Sequence, residues 1–234
     1  YTFFGLHPGT TKDDVKKCLE NWNKGDNGIL YLSRAYKLKP GTGWDVPPGV
    51  LHAPGSLLTY EPQRSSDVFA MFQSLVWDVP TPWELLVKNV PEEHKNDLDY
   101  IINLIDWDLN VDPNFYQNRF AEPKPVKPLA EMRSEGYEEY WISYKSSNFS
   151  AKELRVFPGR TVTIKDKEAY GLITIEGYGQ FGPLSIDTPS LIRFGEMTSD
   201  ELFVTQKAAR EGITITNQSE NTMLVMLKHF GPEL

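Results

Sequence analysis

The stretch KPGTGWDVPPGVLHAPGSLLTYEPQRSSD, Lys39 to Asp67, decides how this chain is read. It is dense in proline and glycine, and it places His52 shortly after a Pro47-Pro48-Gly49 triplet. Proline fixes its own φ and glycine supplies left-handed backbone, so the triplet predicts a tight turn that closes one extended segment and opens the next. Counted from Gly41, the spacing is G-x5-P-x-G-x2-H. His52 is then expected at the start of a strand, facing the mouth of a β-structure. Nine residues on, Glu61 opens an E-x-Q-x-S-S-D run that includes Gln63, Ser66 and Asp67, with Arg64 inside it. A strand, a turn at Pro54-Gly55 and a return would bring Glu61 back toward His52.

Outward from this stretch, the chain alternates between two characters. Upstream, Thr10 or Thr11 can cap a helix whose first turn carries Asp13 and Asp14 and whose apolar positions are Val15, Cys18, Leu19 and Trp22. From Ile29 to about Val79, short β-like runs are broken by Gly and Pro. Next, PEEHKNDLDYIINLIDWDL predicts a helix over about 91–106, with Leu98, Ile101, Ile102 and Ile105 on its apolar face. FAEPKPVKPLAEM then reads as an extended linker. From Tyr137 onward about eight short strand signals follow one another, the pattern of a sandwich or jelly roll. The expected organisation is a β-domain over 1–79 with an inserted helix, a helical and proline-rich connector over 80–136, and a second β-domain over 137–234. The fold class is mainly all-β.

Composition narrows the functions. A net charge of −8 and a sequence pI near 5.1, with no basic cluster, argue against nucleic acid as a partner. No apolar run is long enough to span a bilayer, so no membrane partner is expected. The lone cysteine, Cys18, rules out an internal disulfide and points to a reducing, cytoplasmic setting. Aromatic residues make up 12% of the chain, which suits both β-structure and sugar-facing surfaces.

The spaced histidine motif resembles the second motif of the cupin family, whose fold is a small β-barrel or jelly roll and whose histidines ligate a divalent metal. The wider context, GLHPGTTKDDVKKCLENW followed by GWDVPPGVLHAPGSLLTYEPQRSSDVF, resembles type I mannose-6-phosphate isomerases over most of residues 1–79. That resemblance implies a zinc-dependent aldose–ketose isomerase acting on a sugar or sugar phosphate, with homo-oligomerisation allowed. It assigns His52 to the metal and Glu61 to the general base or a substrate contact, while Arg64, where the family usually has Gln or a small residue, is the candidate to hold an anionic substrate group such as phosphate. The family's catalytic arginine position is here Met71, and the family's earlier metal ligands have no counterpart in these residues. The metal site is therefore expected to be incomplete, with the missing ligands upstream of Tyr1. In the second domain, Lys165-Asp166-Lys167 stands where H-x-H would fall after Pro158-Gly159. Ammonium groups cannot ligate a metal, so this domain is expected to hold none. The rival reading is a non-catalytic double cupin that binds carbohydrate or serves a structural role.

Overall fold

The computed structural model describes residues 1–66 and 68–232. Strands hold 30% of the chain and helices 20%, so the protein is mainly β. It divides into two compact units, Tyr1–Pro40 with Val46–Phe120, and Gly41–Asp45 with Ala121 onward.

The first unit is built on a three-stranded antiparallel sheet. Its central strand β1 (Thr2–Leu6) pairs with β2 (Ser33–Tyr36) on one side. On the other side lies a two-residue strand, His52–Ala53, which is β4 because β3 (Gly43–Trp44) comes before it in the chain. The helix Lys12–Glu20 forms where its caps predict. Thr11 Oγ1 accepts from the Asp14 amide at 3.3 Å, and Asp14 returns the bond to the Thr11 amide at 3.0 Å, which closes a capping box. Its apolar face, Val15, Cys18 and Leu19, is buried with Leu6, Trp22, Ile29, Phe72, Ile101, Ile102 and Ile105 in one core.

The helix predicted over 91–106 is broken. A 3-10 turn at Glu92–His94 precedes helix Leu98–Ile102, capped by Asp97, and helix Trp107–Asn110, capped by Asp106. Each Asp side chain accepts from the backbone amide three residues on and starts a new helix where periodicity alone would continue the old one. Strands are also fewer than the apolar runs suggest. The described residues of 54–73 contain no regular element, and a short hairpin, β5 (Leu75–Val76) and β6 (Val79–Pro80), follows. The first unit is thus a small sheet packed with helices, and the sandwich geometry lies in the second.

The second unit begins near β7 (Phe120–Ala121) and β8 (Lys124–Pro125), then helix Leu129–Glu135. The following strands are β9 (Tyr137–Ser143), β10 (Ser150–Val156), β11 (Thr161–Ile164), β12 (Tyr170–Glu176), β13 (Tyr178–Phe181) and β14 (Leu184–Asp187). They are completed by β15 (Glu201–Val204), β16 (Ile213–Asn217) and β17 (Leu224–Phe230). Two antiparallel sheets result, one of order β15-β12-β17-β10-β9-β8 and one of order β11-β16-β13-β14. Alternation explains the layering. Leu154 and Val156, Leu172, and Leu224 and Met226 from the first sheet meet Val162, Ile164, Phe181, Ile186 and Ile215 from the second in a single core. Asn217, the first residue of an Asn-Gln-Ser triplet, is buried and donates to the Val156 and Thr222 carbonyls at 3.0 and 2.8 Å, so its amide serves the fold.

Candidate functional site

The turn before His52 forms as the spacing predicts. Gly49 takes φ +80°, and the Val50 amide closes the turn on the Pro47 carbonyl at 3.3 Å. A side chain at Gly49 would meet the backbone nitrogen of Asp106 at 3.0 Å, so both the left-handed φ and the close approach call for glycine. The buried Asn110 amide clamps the turn, donating to the Gly49 carbonyl at 2.7 Å and accepting from the Leu51 amide at 2.9 Å.

His52 itself is exposed. It pairs with Phe4 across β1 and β4, and its Nδ1 lies 3.0 Å from the Val50 carbonyl. Glu61 does not return on a neighbouring strand. It sits in the irregular segment, exposed, and its carboxylate accepts only local bonds, from Thr59 Oγ1 at 3.3 Å and Gln63 Nε2 at 3.1 Å. Arg64 is likewise exposed, and Met71 turns its amide to the Leu85 carbonyl at 3.1 Å. Asp67, the last residue of the motif, lies outside the described residues. Among the described residues no three His, Cys, Asp or Glu side chains gather where a metal ion could be held. A catalytic zinc site takes three protein ligands, and the donors around His52 do not make up such a set.

The remaining histidines sit in separate settings. His7 is an exposed loop residue. His94 stacks on Tyr100 with ring centroids 4.1 Å apart. His229 lies on β17 against Gly171, and burial holds its imidazole below the usual histidine range, with Glu201 acting in the opposite sense.

One enclosed group of titratable side chains does exist, inside the second unit. Inward positions of β17 run Leu224, Met226, Lys228, Phe230. On β10 they run Lys152, Leu154, Val156, and on β9 Tyr137, Glu139, Trp141. Lys152 and Lys228 are direct cross-strand partners. Two like charges in that position repel, and here the carboxylates between them offset it. Asp166 Oδ1 accepts from Lys152 Nζ at 2.5 Å and Oδ2 from Lys228 Nζ at 2.7 Å. Glu139 Oε1 takes Lys228, and its Oε2 lies 4.0 Å from Lys152. Each of the four carboxylate oxygens therefore faces one ammonium. Aromatic rings wall the group, with Lys152 Nζ 4.6 Å from the Trp141 centroid and 5.1 Å from that of Phe230, and Lys228 Nζ 5.2 Å from that of Tyr170.

Lys228 is fully buried. Burial alone would lower its pKa, but the Glu139 and Asp166 carboxylates more than offset that and hold it above the usual lysine value. For Asp166, burial raises the pKa and the two lysines outweigh it, so the carboxyl stays below its usual range. The Tyr170 hydroxyl is pushed up to about 12 by burial.

This placement corrects one sequence expectation. Lys165 and Lys167 were expected at interior ligand positions, yet both are exposed and Asp166 points inward. The alternation along β11, buried at Val162 and Ile164, continues to Asp166 and so reverses the assumed parity. The buried lysines, Lys152 and Lys228, come from other strands. The signal that could have found them is a charged residue at an inward parity position within KELRV, YEEYW and MLVMLKHF.

These features define a class, a protein carrying an antiparallel β-sandwich with an internally ion-paired core. No protein-family model matches the sequence, and no curated protein does. Solved structures similar to it include cupin domains. A cupin-2 domain protein, Rru_A2000 from Rhodospirillum rubrum, aligns at 13% identity over 42% of this chain and 62% of its own, with TM-score 0.31. An RmlC-like cupin from Shewanella frigidimarina aligns at 10% identity over 48% of this chain and 84% of its own, with TM-score 0.30. The Rhodobacter sphaeroides structure of SigE in complex with the anti-sigma ChrR aligns at 12% identity over 46% of this chain and 57% of its own, with TM-score 0.30. The chain spans less than two thirds of the first and last of these three. Among the described residues no helix is long and apolar enough to cross a membrane.

Proposed function

We propose that this chain is a cupin-type protein acting as a non-catalytic module, structural or carbohydrate-binding, with no catalytic metal held by its own residues. The observation that carries this reading is the contrast between its two groups of polar side chains. His52, Glu61 and Arg64 are exposed, and the side-chain bonds of His52 and Glu61 reach only two residues along the chain. Among the described residues, the enclosed cluster sets both of its carboxylates against lysine ammonium groups, so its charged side chains are paired with one another. The ligand class that the resemblance suggests is a sugar or sugar phosphate.

The isomerase reading keeps one observation in its favour, the glycine-dependent turn that places His52 at the head of β4 as the motif requires. It would take a zinc ion, with further ligands from outside these residues. Metal analysis of the dialysed chain, paired with an assay for interconversion of mannose 6-phosphate and fructose 6-phosphate, separates the two readings. The expected result is zinc well below one per chain and no turnover. Zinc-dependent turnover abolished by His52→Ala would reverse the conclusion. Titration with the same sugar phosphates, followed by tryptophan fluorescence, distinguishes a binding module from a purely structural one.

A further inference from the structure

We infer that Lys152 and Lys228 do in this sandwich the work of a divalent cation, and that Glu139 and Asp166 become a divalent-metal seat once both lysines are removed. The inference deepens the metal-free reading of the second unit and rests on it.

The argument begins with charge. Two carboxylates face two ammonium groups, and the cluster is neutral as it would be around one dication. Geometry adds to it. Asp166 reaches both lysines through different oxygens, and Glu139 does the same, so four hard oxygen donors converge on the space that the two Nζ atoms fill. Burial supplies the driving force. The side chains of Asp166, Glu139 and Lys228 are at most 5% exposed, and buried carboxylates without a partner are costly. The pair of anions therefore requires positive charge in that space. Lysine supplies it covalently and excludes a metal by occupying its place. Two carboxylates, with water completing the shell, match the preferences of hard cations such as Mn2+.

The test compares three proteins by thermal melting and calorimetric titration with Mn2+: the parent chain, K152A/K228A, and K152A/K228A/E139Q/D166N. The parent is expected to melt at the same temperature with and without Mn2+. The double variant is expected to melt lower than the parent and to recover several degrees, saturably, as Mn2+ is added. The quadruple variant, with its carboxylates neutralised, is expected to ignore the metal. If the double variant folds only when refolded with Mn2+, the inference is equally supported. It is overturned if the double variant is as indifferent to Mn2+ as the parent. It also fails if the quadruple variant responds as strongly as the double, or folds while the double variant stays unfolded even with Mn2+. A parent chain that binds Mn2+ at this cluster would instead sink the metal-free reading of the second unit.

Discussion

Lys228 shows how much one residue can depend on its neighbours. It stands in a row of apolar side chains on β17, with no exposure, and is charged only because Glu139 and Asp166 hold it so. Replacing it with methionine would leave two buried carboxylates sharing one lysine. Breaking a buried pair in this way costs on the order of 3–5 kcal/mol, whereas replacing the whole network with apolar groups of like volume is often neutral. Lys228→Met is therefore expected to lower the urea midpoint sharply, and K152M/K228M/E139M/D166L, which replaces the whole network with apolar groups, to restore much of the loss. Equal midpoints for the single and quadruple variants would refute this account. His52 is the opposite case. Exposed and held by one bond to the Val50 carbonyl, it contributes little to folding, and His52→Ala should leave the midpoint within about 0.5 kcal/mol of the parent. The glycine turn before His52 was legible because only glycine tolerates its φ and its contact with Asp106. The setting of His52 was not, since no local pattern says whether a later strand will return to cover it.

At the scale of elements, the second unit was legible and the first much less so. β12 begins with alternating buried and half-buried positions, β10 and β17 are buried along most of their length, and short runs between turn signals mark all three as strands. In the first unit the run DVFAMFQSLVWDV has the same β-like composition, yet most of it is irregular. Its placement comes from bonds that periodicity does not encode, such as the Asn27 amide on the Phe72 carbonyl at 2.9 Å and Ser74 Oγ accepting from the Asn27 amide nitrogen at 2.9 Å. The hairpin that follows turns through Trp77 and Asp78 at φ +52° and +60°, positions where Asn-Gly is favoured. Trp77 is 94% exposed, so nothing packs to compensate for its backbone. W77N/D78G is expected to stabilise the chain in urea unfolding, by on the order of 1 kcal/mol, because it relieves two left-handed non-glycine residues. No gain, or a loss, would mean that the indole serves a purpose outside the hairpin. In β13 the constraint is steeper. A side chain at Gly179 would lie 2.0 Å from the Thr216 carbonyl oxygen on β16, and backbone there cannot yield without breaking the pairing. Gly179→Ala should lose amide-exchange protection along β13 and β16, and unchanged protection would show that the sheet accommodates it.

For the molecule as a whole, two buried groups and one half-buried imidazole shape the response to pH. Asp166 is held below its usual value of 3.8, so its contribution is complete above that value and lost as pH falls through the folded-state pKa. Lys228 is held above 10.5, so its contribution is complete below that value and lost as pH rises through its own folded-state pKa. His229 is held below 6.5 by burial against Gly171, which means the folded chain prefers it neutral. Its contribution is present above 6.5 and falls away on acidification, before Asp166 begins to titrate. Stability should therefore be flat with respect to these groups between 6.5 and 10.5, and the first acid-side loss should come from one imidazole. The ring's position is enforced by Gly171, where an added methyl would fall 1.9 Å from His229 Nε2. Gly171→Ala must push the ring aside, and the His229 pKa should then rise toward the ordinary value in a titration followed by NMR. Urea midpoints measured from about pH 7 to about pH 5 should decline in the parent and stay level in His229→Gln, the span in which an imidazole titrates. A parent midpoint that holds steady across that interval would rule out His229 as the source of acid sensitivity and leave the carboxylate of Asp166 as the first buried group to fail.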